Sequence, residues 1–259
     1  KLQRRMRRGS SEHRALLRAE ECGFCEDRKG VFAFDDAADR GLCADLRRFR
    51  FMQAKLVGFI QTQGQTLARY PLRDTSQPAR YARAVAYYRV SDLTRARGEL
   101  DVLMREDPNN PYFQELMGQI LFENGRAEES IAYHRRSLEL VPNQPLLQIN
   151  LARALNAAEG RAGTDESIAL LQAAVAREPD NAYGWRELAQ ARDLRGEEGL
   201  AQLASAEQNF ALGDYNSALS FAERARRTLP RNTPSYQRAD DIVTFAGNGD
   251  PHAQSGCAI

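Results

Sequence analysis

Residues 107–142 read DPNNPYFQELMGQILFENGRAEESIAYHRRSLELVP. Apolar residues recur every three or four positions on both sides of Gly125-Arg126, which predicts two amphipathic helices joined by a tight turn. Pro108 and Pro142 frame this unit at an interval of 34 residues. Proline stops a helix because it lacks the amide hydrogen and its ring clashes with the preceding turn. Working outward, Pro179 follows after 37 residues and Pro230 after another 51. The first surplus predicts a three-residue insertion in the Ala158–Thr164 loop, the second one extra helix. Asp107-Pro-Asn-Asn-Pro111 and Pro142-Asn-Gln-Pro145 hold helix-stop and helix-start residues back to back.

Small residues recur inside the period. Gly118 and Ser130 are twelve apart, as are Ala84 and Ala96; Ala152 and Ser167 are fifteen apart. A small side chain at such a site lets two helices approach closely. A fourth unit starts at Trp185 and Leu188-Ala189 and turns at Gly196. Its second helix, Glu198–Leu212, also opens a last unit with Ala206, Gly213, Ala218 and Ala225. A helix–turn–helix unit of 34 residues closed by proline is the tetratricopeptide pattern. The expected fold class is all-α: an α-solenoid of tetratricopeptide (TPR) helix pairs in a right-handed superhelix, with about 10–12 helices and no sheet.

The expected domain organisation is a basic helix and linker over 1–47, the solenoid over 48–245 and a flexible tail over 246–259. Lys1–Glu21 reads as helical, with Arg4, Arg5, Arg7 and Arg8 clustered. That cluster is a solvated face or the end of an upstream domain, or else a phosphate- or membrane-binding element. Cys22–Ala44 reads as a loop carrying Gly23, Gly30 and Gly41. One helix follows over Leu46–Gln61 and a shorter one through Leu67 to Tyr70-Pro71. The chain opens at Lys1 without an initiator Met or a signal peptide, and is read as a piece of a longer protein.

Charge and motifs narrow the function. The 36 basic and 35 acidic residues give a net charge of +1, so no global basic field favours nucleic acid. No apolar run approaches the ~18 residues a membrane span needs. The three histidines, His13, His134 and His252, are followed by Arg14, Arg135 and Ala253, so none opens a His-Glu-x-x-His zinc helix. No phosphate-cradling glycine loop and no Gly-x-Ser-x-Gly elbow occurs. His134 falls at a packing position. Cys22 and Cys25 form a C-x-x-C, with Cys43 and Cys257 distant; incidental thiols, a disulfide and a metal site all remain open. No catalytic, cofactor or metal residue is assigned in this chain.

The expected binding surface is the concave face lined by the first helix of each unit. Repeat spacing puts Tyr81, Val85, Tyr88 and Arg89 there in the first unit, and Tyr112, Glu115, Gln119, Phe122 and Glu123 in the second. Leu146, Ile149, Arg153 and Asn156 follow, then Tyr183, Arg186, Gln190 and Asp193. Tyr, Arg and amides suit a protein or peptide partner. Tyr81, Tyr112, Tyr183 and Arg186 are expected to point away from the helix-pair core and carry most of the binding. Phe122 and Tyr88 could equally pack between helices. The Lys/Asn carboxylate clamp of chaperone-binding repeat proteins is absent from these positions.

Several stretches together resemble one bacterial family: Met52–Phe59 (MQAKLVGF), Arg69–Arg89, Asp107–Arg126, Trp185–Ala189 (WRELA) and Leu203–Glu207 (LASAE). They are similar to the alphaproteobacterial, BepA-like zinc metallopeptidases with a C-terminal tetratricopeptide domain, in the CAAX-prenyl-protease-like family forty-eight. The resemblance covers roughly Asp45–Asp241. In that family the catalytic domain precedes the repeats and carries His-Glu-x-x-His, which this sequence lacks, so no zinc ligand is carried to any position here. The Cys22–Cys25 segment departs from the family's linker, which compares better with Phe34-Asp35-Asp36. The resemblance implies a noncatalytic periplasmic repeat domain, with zinc in an upstream protease domain. It also implies outer-membrane or envelope proteins and their assembly machinery as partners. The alternative is a free-standing scaffold or adaptor without enzymatic activity. Metal analysis of the purified 259-residue chain is expected to return no stoichiometric zinc, because a hydrolytic zinc needs about three fixed protein ligands and a water; one zinc per chain would implicate Cys22, Cys25 and Cys43.

Overall fold

The computed structural model describes residues 37–247, with side chains from residue 49. The basic cluster at Arg4–Arg8, the Cys22–Cys25 pair and the tail beyond Gly247 lie outside the described residues. The chain divides into two compact units, residues 1–96 and residues 97–259, each considered by itself. Twelve α-helices and no strand occur among the described residues. They are α1 (Ala37–Ile60), α2 (Gln63–Arg69), α3 (Gln77–Arg89), α4 (Leu93–Glu106), α5 (Pro111–Glu123), α6 (Ala127–Leu140), α7 (Pro145–Glu159), α8 (Thr164–Arg177), α9 (Ala182–Arg195), α10 (Glu198–Ala211), α11 (Tyr215–Thr228) and α12 (Pro234–Gly247). None is long and apolar enough to cross a membrane.

The prolines act as the sequence suggests. Helices α4, α6, α8 and α11 end at Glu106, Leu140, Arg177 and Thr228, each two residues before Pro108, Pro142, Pro179 or Pro230. The residue ahead of a proline is pushed out of the helical region, so the last turn closes one residue earlier still. Helix starts are equally local. Pro111 and Pro145 occupy first-turn positions where a missing amide costs nothing. The side-chain oxygens of Asn110, Asn181 and Asp214 accept from the backbone N–H of Tyr112, Gly184 and Ser217 at 3.0–3.1 Å. Gly125 and Gly196 end α5 and α9 with φ of +75° and +84°, a region most L-residues avoid.

Two expectations about the ends change. The first long helix begins at Ala37 rather than near Leu46, so residues read as linker are helical. Gly41, taken as a loop marker, sits inside it; one glycine costs a helix only about 1 kcal/mol relative to Ala. At the other end α12 continues to Gly247. The 37-residue interval holds a 3₁₀ turn at Gly160–Gly163, and the 51-residue interval holds three helices, α9 to α11.

In unit 1, α3 packs on α1 and α2. Gly58 makes this possible: a Cβ there would lie 2.7 Å from Val85 Cβ and 2.8 Å from the Ala82 carbonyl oxygen. Arg83, buried in α3, donates to the carbonyls of Pro71 and Asp74 at 3.0 and 2.8 Å and fixes the loop between α2 and α3. Its buried charge is compatible with the fold because those carbonyls receive it.

In unit 2 each helix from α5 to α12 packs against the next, and the first helices α5, α7 and α9 also touch in sequence. No helix pair can cover both its faces alone, so the core is made between neighbours. One such layer gathers Ile149 and Ala152 from α7, Leu171 and Val175 from α8, Leu188 and Ala191 from α9, and Ala204 from α10. Gly118 sets the α5–α6 spacing: a Cβ would fall 2.7–2.9 Å from the His134 imidazole. Gly118→Ala is therefore expected to destabilise the chain by about 1–3 kcal/mol through overpacking. The double variant Gly118→Ala with His134→Ala should lose less than the sum of the two single changes, as read by urea denaturation.

Candidate functional site

The first helices of unit 2 bring one set of side chains together. Phe122 lies in the last turn of α5, Arg153 lies mid-way along α7, and Tyr183, Arg186 and Glu187 occupy the first turns of α9. The Arg153 guanidinium carbon sits 4.5 Å from the Phe122 ring centroid and 5.3 Å from that of Tyr183. Arg186 approaches the same Tyr183 ring at 4.8 Å. Such stacking contributes about 0.5–2 kcal/mol per contact, more where water is excluded.

Glu187 organises the two cations. It is buried, at 5% exposure, and accepts from Arg186 at 2.8 Å. Arg153 Nε stands 3.7 Å from the same carboxylate oxygen. The hydrogen bond to Glu187 raises the Arg186 pKa above its ordinary value, and burial, outweighing the opposing charge of Arg153, raises that of Tyr183. Alongside, Gln119 donates to Glu123 at 3.0 Å. The result is a shelf of two rings and two guanidiniums held in place by a carboxylate beneath. It presents flat apolar surface and hydrogen-bond donors, and suits recognition of polypeptide by stacking and charge-assisted hydrogen bonds.

Four of the anticipated residues, Phe122, Arg153, Tyr183 and Arg186, thus meet. Gln190 and Tyr112 are exposed, whereas Asn156 is half-buried and accepts from Ser167 Oγ at 2.6 Å. Tyr183 also packs against the α7–α9 core layer, so it does not point wholly away from it. Glu115, at 4% exposure, is too buried to present itself to a partner. Ile149 is a core residue. Among the described residues no group of three His, Cys, Asp or Glu side chains could hold a metal ion.

In unit 1, Tyr81 departs from expectation. It is 2% exposed and meets Phe51 edge-on, with ring centroids 5.9 Å apart. It is a core residue because α3 is covered by α1, a helix outside the repeat pattern that fixed Tyr81's assignment. Val85 is buried against Gly58 for the same reason. Tyr88 packs edge-on against Phe59, at 6.5 Å, and Arg89 donates to the Gln61 carbonyl at 2.8 Å. Sequence reasoning missed Glu187. A signal existed: it lies four residues after Tyr183, hence on the same helical face.

The comparisons follow from this architecture. Residues 80–145 match the family model "Tetratricopeptide repeat". With the all-helical architecture, that match gives the stretch it covers the fold of tetratricopeptide helix pairs. Over 162 residues, 62% of the chain, the sequence is 29% identical to the beta-barrel assembly-enhancing protease of Yersinia pestis. It is 28% identical over the same length to the protein of that name from Escherichia coli K12. The alignments cover 33% and 32% of those relatives, so the chain spans about a third of their length. Among solved structures, YrrB, a TPR protein with an unusual peptide-binding site, superposes with a TM-score of 0.53 at 17% identity, over 67% of this chain and 90% of that one. PilW, a type IV pilus biogenesis factor, gives 0.52 at 19%, over 74% and 97%. At these identities the structural likeness shows the fold alone.

His134 is 3% exposed, with Nδ1 unpartnered, and lies within electrostatic reach of Arg153. Burial first, then the nearby Arg153 charge, pushes its pKa from 6.5 down to about 4. The folded pKa is thus depressed below the unfolded one. Above pH 6.5 the imidazole is neutral in both states and has no effect. As pH falls from about 6.5 to about 4, the unfolded chain takes up a proton that the folded chain refuses. Stability is expected to fall by about 3 kcal/mol over that window. Denaturation series at pH 7.5 and pH 4.5 should show a smaller difference for His134→Gln than for the wild type.

Proposed function

We propose that this chain is the noncatalytic, polypeptide-binding repeat domain of a zinc metalloprotease of the bacterial envelope, acting in quality control of outer-membrane proteins. The observation that carries the binding reading is the Phe122–Arg153–Tyr183–Arg186 shelf, built from the first helices of three successive repeats. The similarity to beta-barrel assembly-enhancing proteases supports the outer-membrane reading. In this reading the zinc and the catalytic residues belong to a protease domain preceding the repeats. The present chain holds that domain and presents envelope proteins or components of their assembly machinery to it, in the periplasm.

A test uses a fluorescently labelled, urea-unfolded outer-membrane β-barrel protein, diluted into the purified chain and followed by anisotropy. Arg153→Ala and Arg186→Ala are each expected to weaken binding by about 1–2 kcal/mol, that is roughly 5–30-fold. The exposed Arg231→Ala should leave it unchanged. Melting curves establish that each variant remains folded. Undiminished binding by folded Arg153→Ala and Arg186→Ala variants would move the polypeptide site off this shelf.

A further inference from the structure

A cavity of about 370 Å³ opens in unit 2 between the second helices of two successive repeats, α6 and α8, beside α7. Its size falls in the range of small-molecule sites, about 300–1,000 Å³. The shelf lies on another face. At about 100° per residue, Arg153 is roughly 140° around α7 from Gln148 and 160° from Leu151, both of which line the cavity. Leu138 of α6 and Leu170 of α8 complete its apolar walls. The charges at its rim are already paired. Arg135 donates to Glu166 at 2.6 and 3.0 Å, and Glu139 accepts from Arg136 at 3.1 Å. The cavity therefore asks for no counter-ion.

One polar group in the wall is unsatisfied. Gln148 is 5% exposed, and its Oε1 is buried and accepts no hydrogen bond. A buried amide oxygen without a donor costs stability, and such a group in a folded chain calls for an explanation. The last torsion of a glutamine is broad, so a small turn brings this oxygen onto a donor seated in the cavity. Leucine walls and one unfilled acceptor fit a ligand with a large apolar body and a single N–H. Among side chains the tryptophan indole has that composition, being a donor only. A Lys ammonium would bring a charge and three donors to one acceptor. A Tyr hydroxyl would leave its own acceptor sites unmet against leucine.

We propose that this cavity is a subsite for a tryptophan side chain of a partner polypeptide. The indole N–H donates to Gln148 Oε1, and the ring packs against Leu138, Leu151 and Leu170. The subsite is a second contact, placed apart from the shelf, and does not rest on the function suggested for that shelf.

The test uses fluorescein-labelled Gly/Ser heptapeptides with one central residue: Trp, Nε1-methyltryptophan or Ala. Each is titrated with the 259-residue chain and followed by anisotropy. The Trp peptide is expected to bind about ten-fold more tightly than the Ala peptide. It should also bind about five-fold more tightly than the Nε1-methyl peptide, which has no N–H to give and leaves the oxygen unpaired. Gln148→Leu keeps the volume and removes the acceptor. It should abolish the preference for Trp over Nε1-methyltryptophan and raise the melting temperature, because an unpaired buried oxygen is gone. Arg153→Ala, which alters the shelf, should leave that preference unchanged. Absence of binding, equal binding of the Trp and Nε1-methyl peptides to the wild type, or a preference that survives Gln148→Leu would overturn the proposal. The wild-type comparison decides by itself if Gln148→Leu does not fold. A preference lost in Arg153→Ala would overturn the proposal in favour of the shelf. A lowered melting temperature for folded Gln148→Leu would overturn it in favour of an ordered water on the oxygen.

Discussion

Close approach of neighbouring helices is the constraint on which the rest of this structure depends. Gly118 against the His134 imidazole, and Gly58 against Val85 and the Ala82 carbonyl, leave no space for a methyl group. At that distance neighbouring helices share their apolar faces, α1 with α3 in unit 1 and each helix from α5 to α12 with the next in unit 2. Larger residues at these points would open the helix pairs, and no other element could supply the missing core, since each repeat contacts only the next.

The same packing builds the shelf. Because α5, α7 and α9 lie side by side, residues far apart in sequence, Phe122, Arg153 and Tyr183, come within stacking distance. Two guanidiniums are then held over one buried carboxylate, Glu187. Such an arrangement keeps the cations pre-oriented, so a partner meets donors whose side-chain entropy is already partly lost. His134 connects the two levels. It fills the space left by Gly118, and its imidazole stays neutral because it is buried and faces the Arg153 charge. Core packing and the electrostatics of the shelf are therefore not independent in this unit.

Much of this was legible in the sequence, and for local reasons. Proline and glycine act through their own backbone chemistry, so the ends of α4, α6, α8 and α11 and the turns at Gly125 and Gly196 could be placed from single residues. The period of 34, and its surpluses of 3 and 17, announced helix pairs, a three-residue insertion in the Ala158–Thr164 loop and an added helix. Gly41 misled for the same reason: a glycine signal is local, and a long helix can absorb one.

From α2 onward the sequence by itself determined which segments are helices and where they stop, and the 34-residue period pointed to tetratricopeptide pairs, because those outcomes rest on propensity, capping and periodicity along the chain. Only the tertiary structure decided which side chains of each helix meet a neighbour. Tyr81 follows the repeat spacing of a surface residue yet is buried, because α1 covers α3 and no repeat rule describes α1. Glu187 looked like one more acid among 35 and proved to be the anchor of two arginines. Burial and charge pairing depend on what lies across the helix interface, and residues 34 positions away in sequence supply it.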